Sequence, residues 1–249
     1  IKKRLEKAQE GPQLGYYAEG SKKVLKEAND KIQEDLKAIT DKRPVTVAEI
    51  NDFVARLNAA LTTFESQLKM PQDGIYMIQS ESSNASVNKN VMAVKSSSTD
   101  TFDQVIFAGQ KKNDDNTYAA SGDRNQHLEY YWQVTKVDGG YTFRNLLTGL
   151  YLKRKAGNGS GGLVITQSET PYTIKVEFIN YPGAFRFVVS DGKDKEEYPY
   201  INAQPGTNRI VTWNTADGND NSSFSFQPVE ESTVNSILDN GFFYNLPAK

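Results

Sequence analysis

The sequence predicts an α+β chain of two domains, a small helical bundle followed by an all-β domain built from three repeats. Residues 1–70 hold four aromatic residues, whereas the remainder of the chain holds 23. The period of the apolar residues changes from three and four to two at residues 70–74. A tryptophan-and-tyrosine pattern then returns three times, and self-similarity at such a period indicates repeats that share one core.

The first predicted helix carries one apolar stripe: Leu25, Ala28, Ile32, Leu36 and Ile39. It ends before Pro44, because proline lacks an N–H and disfavours a helical residue before it. Residues 1–9 are expected to add a third, partly truncated helix. Two amphipathic helices on a short connection pack antiparallel, and a third covers the remaining seam.

The second predicted helix begins at a capping box, in which Thr46 is followed three residues later by Glu49. We expect its apolar stripe to pack against the first helix. The stripe consists of Ile50, Phe53, Val54, Leu57, Leu61, Phe64 and Leu68.

After Gly74 the chain alternates with a period of two, and Gly, Asn, Asp and Ser fill the gaps, as β-turns require. Twelve short strands are predicted, at residues 75–78, 91–95, 104–108, 131–137, 141–145, 150–154, 163–167, 174–179, 185–189, 198–203, 210–213 and 224–229. Twelve strands in three units indicate a β-trefoil over residues 74–230. The tail, residues 231–249, contains Phe242, Phe243, Tyr244 and Leu246, and we expect it to dock on the trefoil.

The β part resembles the ricin-type lectin family, whose repeat runs Tyr-x-Ile-x-Asn, then Gly-x-Tyr-Leu-Asp, and ends in Gln-x-Trp. Residues 141–145 read Tyr-Thr-Phe-Arg-Asn and residues 149–152 read Gly-Leu-Tyr-Leu. In the third repeat, residues 210–214 read Ile-Val-Thr-Trp-Asn, and residues 221–226 read Asn-Ser-Ser-Phe-Ser-Phe. The resemblance covers about residues 74–230 and implies a trefoil that binds a glycan or polysaccharide without a cofactor.

The helical part resembles the small three-helix modules of the FIVAR type. Residues 11–18 read Gly-Pro-Gln-Leu-Gly-Tyr-Tyr-Ala and lead into the two helical stripes. Such modules occur in bacterial cell-surface proteins that handle polysaccharides. The resemblance implies a bacterial protein that is extracellular or on the cell surface, with the helical module as a spacer or as a docking element for a protein partner.

A sugar site needs an aromatic face for the apolar side of the pyranose, and amide or carboxylate groups for its hydroxyls. In ricin-type lectins a repeat binds sugar when it has an Asp after the Tyr-Leu strand, a platform aromatic, and an Asn before the Gln-x-Trp strand. The third repeat fits best. Tyr200 and Asn202 fall on the Tyr-Leu-Asp segment, Trp213 on the platform position, and Asn221 on the polar partner.

Two departures weaken the match in this repeat. Asn202 replaces the charged Asp, and a charge-assisted hydrogen bond is about twice as strong as a neutral one. Ser222 replaces the Gln of the signature. Asp217 and Asp220, in the same loop, are candidates to compensate for the lost charge.

The other repeats depart further. The second has Lys153 at the Asp position and no aromatic residue in 163–167, and the first has Val94 or Lys95 there. Other interpretations also stand beside the sugar site. Trp132 is expected to fill the trefoil core, Trp213 serves equally well as a platform or as packing between repeats, and Asn202 and Asn221 are also typical turn residues.

Composition argues against several other functions. The net charge is −2, which offers no basic face for nucleic acid, and the chain has no cysteine. His127 is the single histidine, so no zinc site is expected. Residues 217–221 are rich in oxygen ligands but lack the spacing and terminal Glu of an EF-hand, so we expect a loop turn there and no calcium site. No nucleophile elbow, phosphate-binding loop or long apolar run is present. We therefore expect a protein that is not an enzyme.

The sequence favours non-catalytic carbohydrate binding by a bacterial surface or secreted protein. The rivals are a protein-interaction trefoil, acting as an adaptor or inhibitor, and an accessory module of a larger glycoside hydrolase. The chain starts at Ile1 rather than Met. We expect an upstream segment, such as a signal or a membrane anchor, to precede it.

Overall fold

A computed structural model describes residues 1–95, 104–108, 128–154, 165–179, 183–189, 199–206, 209–214 and 220–230, together with residues 232, 233 and 235 of the tail. The chain divides into two compact units. The first contains Ile1–Met70, and the second contains Pro71–Ile179 and the chain from Ala184 onwards. Each unit is considered separately below.

The first unit contains three helices, α1 (Lys2–Lys7), α2 (Ser21–Thr40) and α3 (Val47–Glu65). The predicted capping box at the start of α3 is confirmed. Thr46 Oγ1 accepts a hydrogen bond from the Glu49 N–H at 3.3 Å, and Glu49 Oε2 accepts one from the Thr46 N–H at 3.0 Å. Hydrogen bonds from Arg43, and from the backbone and side chain of Thr46, lower the pKa of Glu49 to about 2.

The core of this unit forms around a stacked aromatic pair. The rings of Tyr17 and Phe64 lie 4.1 Å apart, and both side chains are buried with Leu25 and Ile32. The Tyr17 hydroxyl donates to Glu65 Oε2 at 3.1 Å. Burial, reinforced by the negative charge of Glu65, raises the pKa of Tyr17 to about 12.

Only part of the predicted apolar stripe of α3 is buried. Ile50 and Val54 are 50% and 51% exposed, so the expectation that the whole stripe packs is wrong for these two residues. The physical reason is the short length of α1. With six residues, α1 spans about 9 Å and cannot cover α3, which has 19 residues.

The second unit contains the predicted twelve strands. Their bounds are β1 (Gly74–Ser80), β2 (Val91–Lys95), β3 (Gln104–Ala108), β4 (Trp132–Val137), β5 (Gly140–Asn145), β6 (Tyr151–Arg154), β7 (Ile165–Ser168), β8 (Lys175–Phe178), β9 (Phe185–Val188), β10 (Tyr200–Gln204), β11 (Arg209–Trp213) and β12 (Phe224–Pro228). Two short 3₁₀ turns, Leu128–Tyr130 and Asp220–Ser222, precede β4 and β12. All twelve predicted strands are therefore confirmed, with bounds shifted by at most a few residues.

Six of the strands close a ring. Antiparallel pairing joins β1 to β4, β4 to β5, β8 to β9, β9 to β12 and β12 back to β1. The bridge between Tyr141 and Ile174 joins β5 to the start of β8. The other six strands form the hairpins β2–β3, β6–β7 and β10–β11. A ring of six strands with three hairpins is consistent with a β-trefoil.

The three repeats also share one register. In each repeat, an aromatic residue on the first strand pairs with a residue at, or directly before, the start of the fourth strand. These pairs are Tyr76 with Trp132, Tyr141 with Ile174, and Phe185 with Phe224. The recurrence of the pairing explains the threefold pattern in the sequence.

The barrel core is aromatic. Trp132 is 0% exposed and its indole N–H donates to the Met92 carbonyl at 3.0 Å, which confirms the prediction that it fills the core. Phe187 stacks on Phe224 with ring centroids 5.0 Å apart and contacts Phe143 at 5.2 Å. Burying rings of this size contributes much of the stability of a small domain. The predicted docking of the tail concerns residues outside those described.

Candidate functional site

The third hairpin places two aromatic side chains directly opposite each other. Tyr200 on β10 pairs with Trp213 on β11, and both are partly exposed. Their neighbours Ile201 and Thr212 are fully buried on the opposite face of the hairpin. Because directly paired residues share a face and side chains alternate along a strand, Tyr200 and Trp213 both belong to the outer face.

Asn202 lies two residues beyond Tyr200 and so shares its face. It is only 3% exposed, and its Nδ2 donates to Ser222 Oγ at 3.0 Å. This bond links the hairpin to the 3₁₀ turn Asp220–Ser222. The amide of Asn202 is therefore held at a fixed position beside the aromatic pair.

Asn221 and Asp220, on that turn, bond to the loop after β1. Ser82 Oγ donates to Asn221 Oδ1 at 2.5 Å, and the Ser83 N–H donates to Asp220 Oδ2 at 2.7 Å. Both side chains are partly exposed. One oxygen of each group thus fastens the turn to its neighbouring loop, which gives these residues a structural role.

The structure thus brings Tyr200, Asn202 and Trp213 to one face. The hydrogen bond from Asn202 to Ser222 connects that face to the turn that carries Asn221 and Asp220. Asp217 lies outside the described residues. Contact of any of these side chains with a sugar stays a prediction.

Sequence reasoning missed a charged group beside the aromatic pair. The guanidinium carbon of Arg186 lies 4.9 Å from the centre of the Tyr200 ring, and its Nε donates to Glu177 Oε2 at 2.7 Å. Lys175 Nζ lies 2.7 Å from the other oxygen, Glu177 Oε1. The signal was available: Arg186 stands between Phe185 and Phe187, and alternation along β9 turns it outward when the two phenylalanines turn inward.

The carboxylate of Glu177 is the hub of this charged group. Partial burial alone would raise its pKa, but the hydrogen bonds from Lys175 and Arg186 outweigh burial and hold the pKa below its usual range. Glu177 is therefore ionised at neutral pH and keeps the two cations in place.

The second hairpin offers a partial copy of this arrangement. The guanidinium carbon of Arg144 lies 5.8 Å from the centre of the Tyr151 ring, and its Nε donates to the Gly149 carbonyl at 2.8 Å. However, the residue opposite Tyr151 is Ser168. This hairpin therefore has a cation on an aromatic ring but no second aromatic across from it.

The described residues contain neither a metal-binding cluster nor a membrane-spanning helix. No group of three or more His, Asp or Glu side chains there is arranged to hold a metal ion. Among the described helices, none combines the length and the apolar composition that a membrane span requires.

No protein-family model matches the chain, and no curated protein matches it in sequence. Solved structures do show similarity. A ricin B-like lectin of Macrolepiota procera, in complex with lactose, is 15% identical with a TM-score of 0.45; the match covers 65% of this chain and 99% of the lectin. The Polyporus squamosus lectin, bound to a human-type influenza-binding epitope, is 18% identical with a TM-score of 0.44, over 64% of this chain and 50% of the lectin.

A third similar structure is an enzyme. The GlcNAcα1-4Gal-releasing endo-β-galactosidase from Clostridium perfringens is 17% identical with a TM-score of 0.43. The match covers 63% of this chain and 32% of the enzyme.

Proposed function

We propose that the second unit is a non-catalytic carbohydrate-binding domain of the ricin type, with its site on the third hairpin. One observation carries the proposal: Trp213 is partly exposed, directly opposite Tyr200, on the outer face of β10–β11. An indole in the core would offer no platform. A partly exposed indole beside a second aromatic ring offers a flat apolar surface to the C–H face of a pyranose.

In this proposal Asn202 and Asn221, together with Asp217 or Asp220, hold the sugar hydroxyls. An amide presents both donors and acceptors, and a carboxylate accepts from two hydroxyls. The bond between Asn202 and Ser222 fixes the polar partner relative to the platform. A fixed partner loses less conformational freedom when the ligand binds, which favours affinity.

A single shallow site of this kind binds weakly. Useful affinity then depends on several copies displayed together or on a linked partner, because linking raises the effective concentration for the second binding event. We propose that the first unit is a FIVAR-like module that acts as spacer or docking element in a bacterial surface or secreted system. The proposed location is extracellular or on the cell surface.

The test is a glycan-array screen of the intact chain against Trp213→Ala. Tyr151→Ala is the control, because it removes an aromatic side chain from the second hairpin, at the position that matches Tyr200, where Ser168 stands opposite. We expect binding by the intact chain and by the control, and none by Trp213→Ala. Circular dichroism must show that both variants keep the fold. Absence of binding by the intact chain across bacterial, plant and host glycans would overturn the proposal.

A second function is supported by the first unit. Its helices leave four large apolar side chains exposed: Val24, Val47, Ile50 and Val54. Exposed apolar groups on one small unit favour contact with another protein. In that case the chain is an adaptor or inhibitor, or an accessory module of a glycoside hydrolase, and a pull-down with Ile50→Asp and Val54→Asp variants is the test. Undiminished capture of a partner by both variants would exclude this surface.

A further inference from the structure

The guanidinium of Arg186 is held in place by two contacts. Its Nε donates to Glu177 at 2.7 Å, and its carbon lies 4.9 Å from the centre of the Tyr200 ring. A cation over an aromatic face at this distance is attracted by the ring quadrupole. Both contacts restrain the side chain before any ligand arrives, so little rotamer entropy remains to be lost on binding.

These contacts leave the outer end of the guanidinium available. Within the residues described, the terminal nitrogens Nη1 and Nη2 of Arg186 make no hydrogen bond. The side chain is 25% exposed, so it is accessible to a ligand. The edge that carries these two nitrogens is a planar fork that matches the two oxygens of a carboxylate.

The local charge also favours an anion. Lys175 and Arg186 both bond to Glu177, so two cations share one carboxylate. The group carries a net charge of +1 on a chain whose overall charge is −2. A neutral hydroxyl would satisfy part of the fork, but a carboxylate also balances the remaining positive charge.

The fork lies close to the aromatic platform. Arg186 is on β9, Tyr200 on β10 and Trp213 on β11, which are neighbouring strands. Strands two positions apart in a sheet are about 10 Å apart. Arg186 reaches over Tyr200 and shortens the gap, so a ligand of one or two sugar rings can contact both the indole and the guanidinium.

We infer that the third hairpin binds an acidic sugar. The sugar ring stacks on Trp213, and the two terminal nitrogens of Arg186 donate hydrogen bonds to the two oxygens of its carboxylate. The inference rests on the proposed function, since it names the chemical class of ligand for the same site. Hexuronic acids and sialic acids both carry this group. Sulfated sugars carry a tetrahedral anion instead and form the contrasting class.

The experiment uses an array of matched oligosaccharides. Each neutral glycan is paired with a counterpart whose terminal hexose is replaced by the hexuronic acid. A second counterpart carries a sulfate on that hexose. Sialylated glycans form a further set. We expect the full chain to bind the uronate about tenfold more tightly than the neutral glycan, because a hydrogen bond to a charged group is stronger than one to a neutral hydroxyl. Added salt should reduce the preference.

Three variants locate the effect. Arg186→Gln should bind both members of a pair alike, and Arg186→Lys should lose most of the preference, because lysine keeps the charge next to Glu177 but lacks the fork. Arg144→Gln is the control, since Arg144 also stacks on a tyrosine but faces no second aromatic. It should leave the preference unchanged.

The outcomes separate this inference from the proposed function. Equal binding of neutral and carboxylated glycans by the intact chain, or a preference that survives in Arg186→Gln, overturns the inference and leaves the sugar site standing. Tighter binding of the sulfated set than of either carboxylated set also overturns it. If the intact chain binds no glycan in any form, the inference and the proposed function both fail. The comparison within the intact chain holds even if a variant does not fold.

Discussion

Tyr200 and Trp213 are direct partners across the β10–β11 pair, and both keep part of their surface exposed to solvent. The corresponding position opposite Tyr151 in the second hairpin holds Ser168. Residues in a directly opposed pair have their Cβ atoms about 5 Å apart, so the two aromatic side chains are neighbours on one face of the hairpin. This difference between hairpins is the reason for placing the sugar site in the third repeat.

The two tryptophans should report on different environments. Trp132 is 0% exposed, whereas Trp213 is partly exposed, and the chain contains no other tryptophan. We therefore expect acrylamide to quench the fluorescence of Trp213 and to leave that of Trp132 nearly unchanged. Trp213→Phe should abolish most of the quenching in the folded protein. Equal quenching of both tryptophans in the native state would contradict the exposure of Trp213.

A ligand should then protect the same fluorophore. If a glycan stacks on Trp213, saturating glycan should lower the quenching constant of the intact chain. Heat-unfolded protein serves as the control, because both indoles are then accessible. Binding without any change in quenching would place the sugar elsewhere on the chain.

The bond between Asn202 and Ser222 should be measurable as a coupling. Asn202 is 3% exposed and donates to Ser222 Oγ at 3.0 Å. Removing one partner leaves a buried polar group without this hydrogen bond. Each of Asn202→Ala and Ser222→Ala should therefore lower the free energy of unfolding by about 1–3 kcal/mol. The double variant should cost less than the sum, with a coupling energy of about 1 kcal/mol. Strict additivity in urea unfolding would show that the bond contributes nothing.

The sequence was sufficient for the strand pattern because alternation, turn residues and repeats all indicate the same structure. All twelve strands and the Thr46–Glu49 capping box follow from local chemistry. Packing between distant segments is different. The exposure of Ile50 depends on the short length of α1, which the apolar stripe of α3 does not encode.

The candidate site shows the same limit. The motif match placed Trp213 and Asn202 on one hairpin, because both lie within a single repeat. Arg186 was missed, because its position over Tyr200 depends on β9 lying beside β10. Alternation with Phe185 and Phe187 predicts that Arg186 turns outward, but only the sheet order brings it to the aromatic pair.

A buried hydroxyl next to the platform offers a stabilising substitution. Thr212 is fully buried, and among the described residues its hydroxyl has no hydrogen-bond partner. Valine has nearly the same shape and no polar atom to desolvate. Thr212→Val should therefore raise the free energy of unfolding by about 1 kcal/mol. Urea denaturation measures the change, and a loss of stability would indicate that the hydroxyl is satisfied by water.

The capping box of α3 should make the stability of the helical unit depend on pH. Hydrogen bonds from Arg43 and Thr46 lower the pKa of Glu49 to about 2, below its ordinary value of 4.5. Because the folded-state pKa is the lower one, ionised Glu49 stabilises the folded unit fully above pH 4.5. This stabilisation is lost progressively as the pH falls towards the folded-state pKa of about 2.

Thermal melts of the full chain at 222 nm, where helices dominate the circular dichroism signal, measure this dependence. Between about pH 5 and pH 2, the melting temperature of Glu49→Gln should fall less steeply than that of the intact chain, because glutamine keeps the capping bond to Thr46 but cannot pair with Arg43 as an ion. Glu34→Gln, an exposed position on α2, is the matched control and should retain the steeper fall. Parallel pH profiles for the intact chain and Glu49→Gln would show that Glu49 does not titrate with folding.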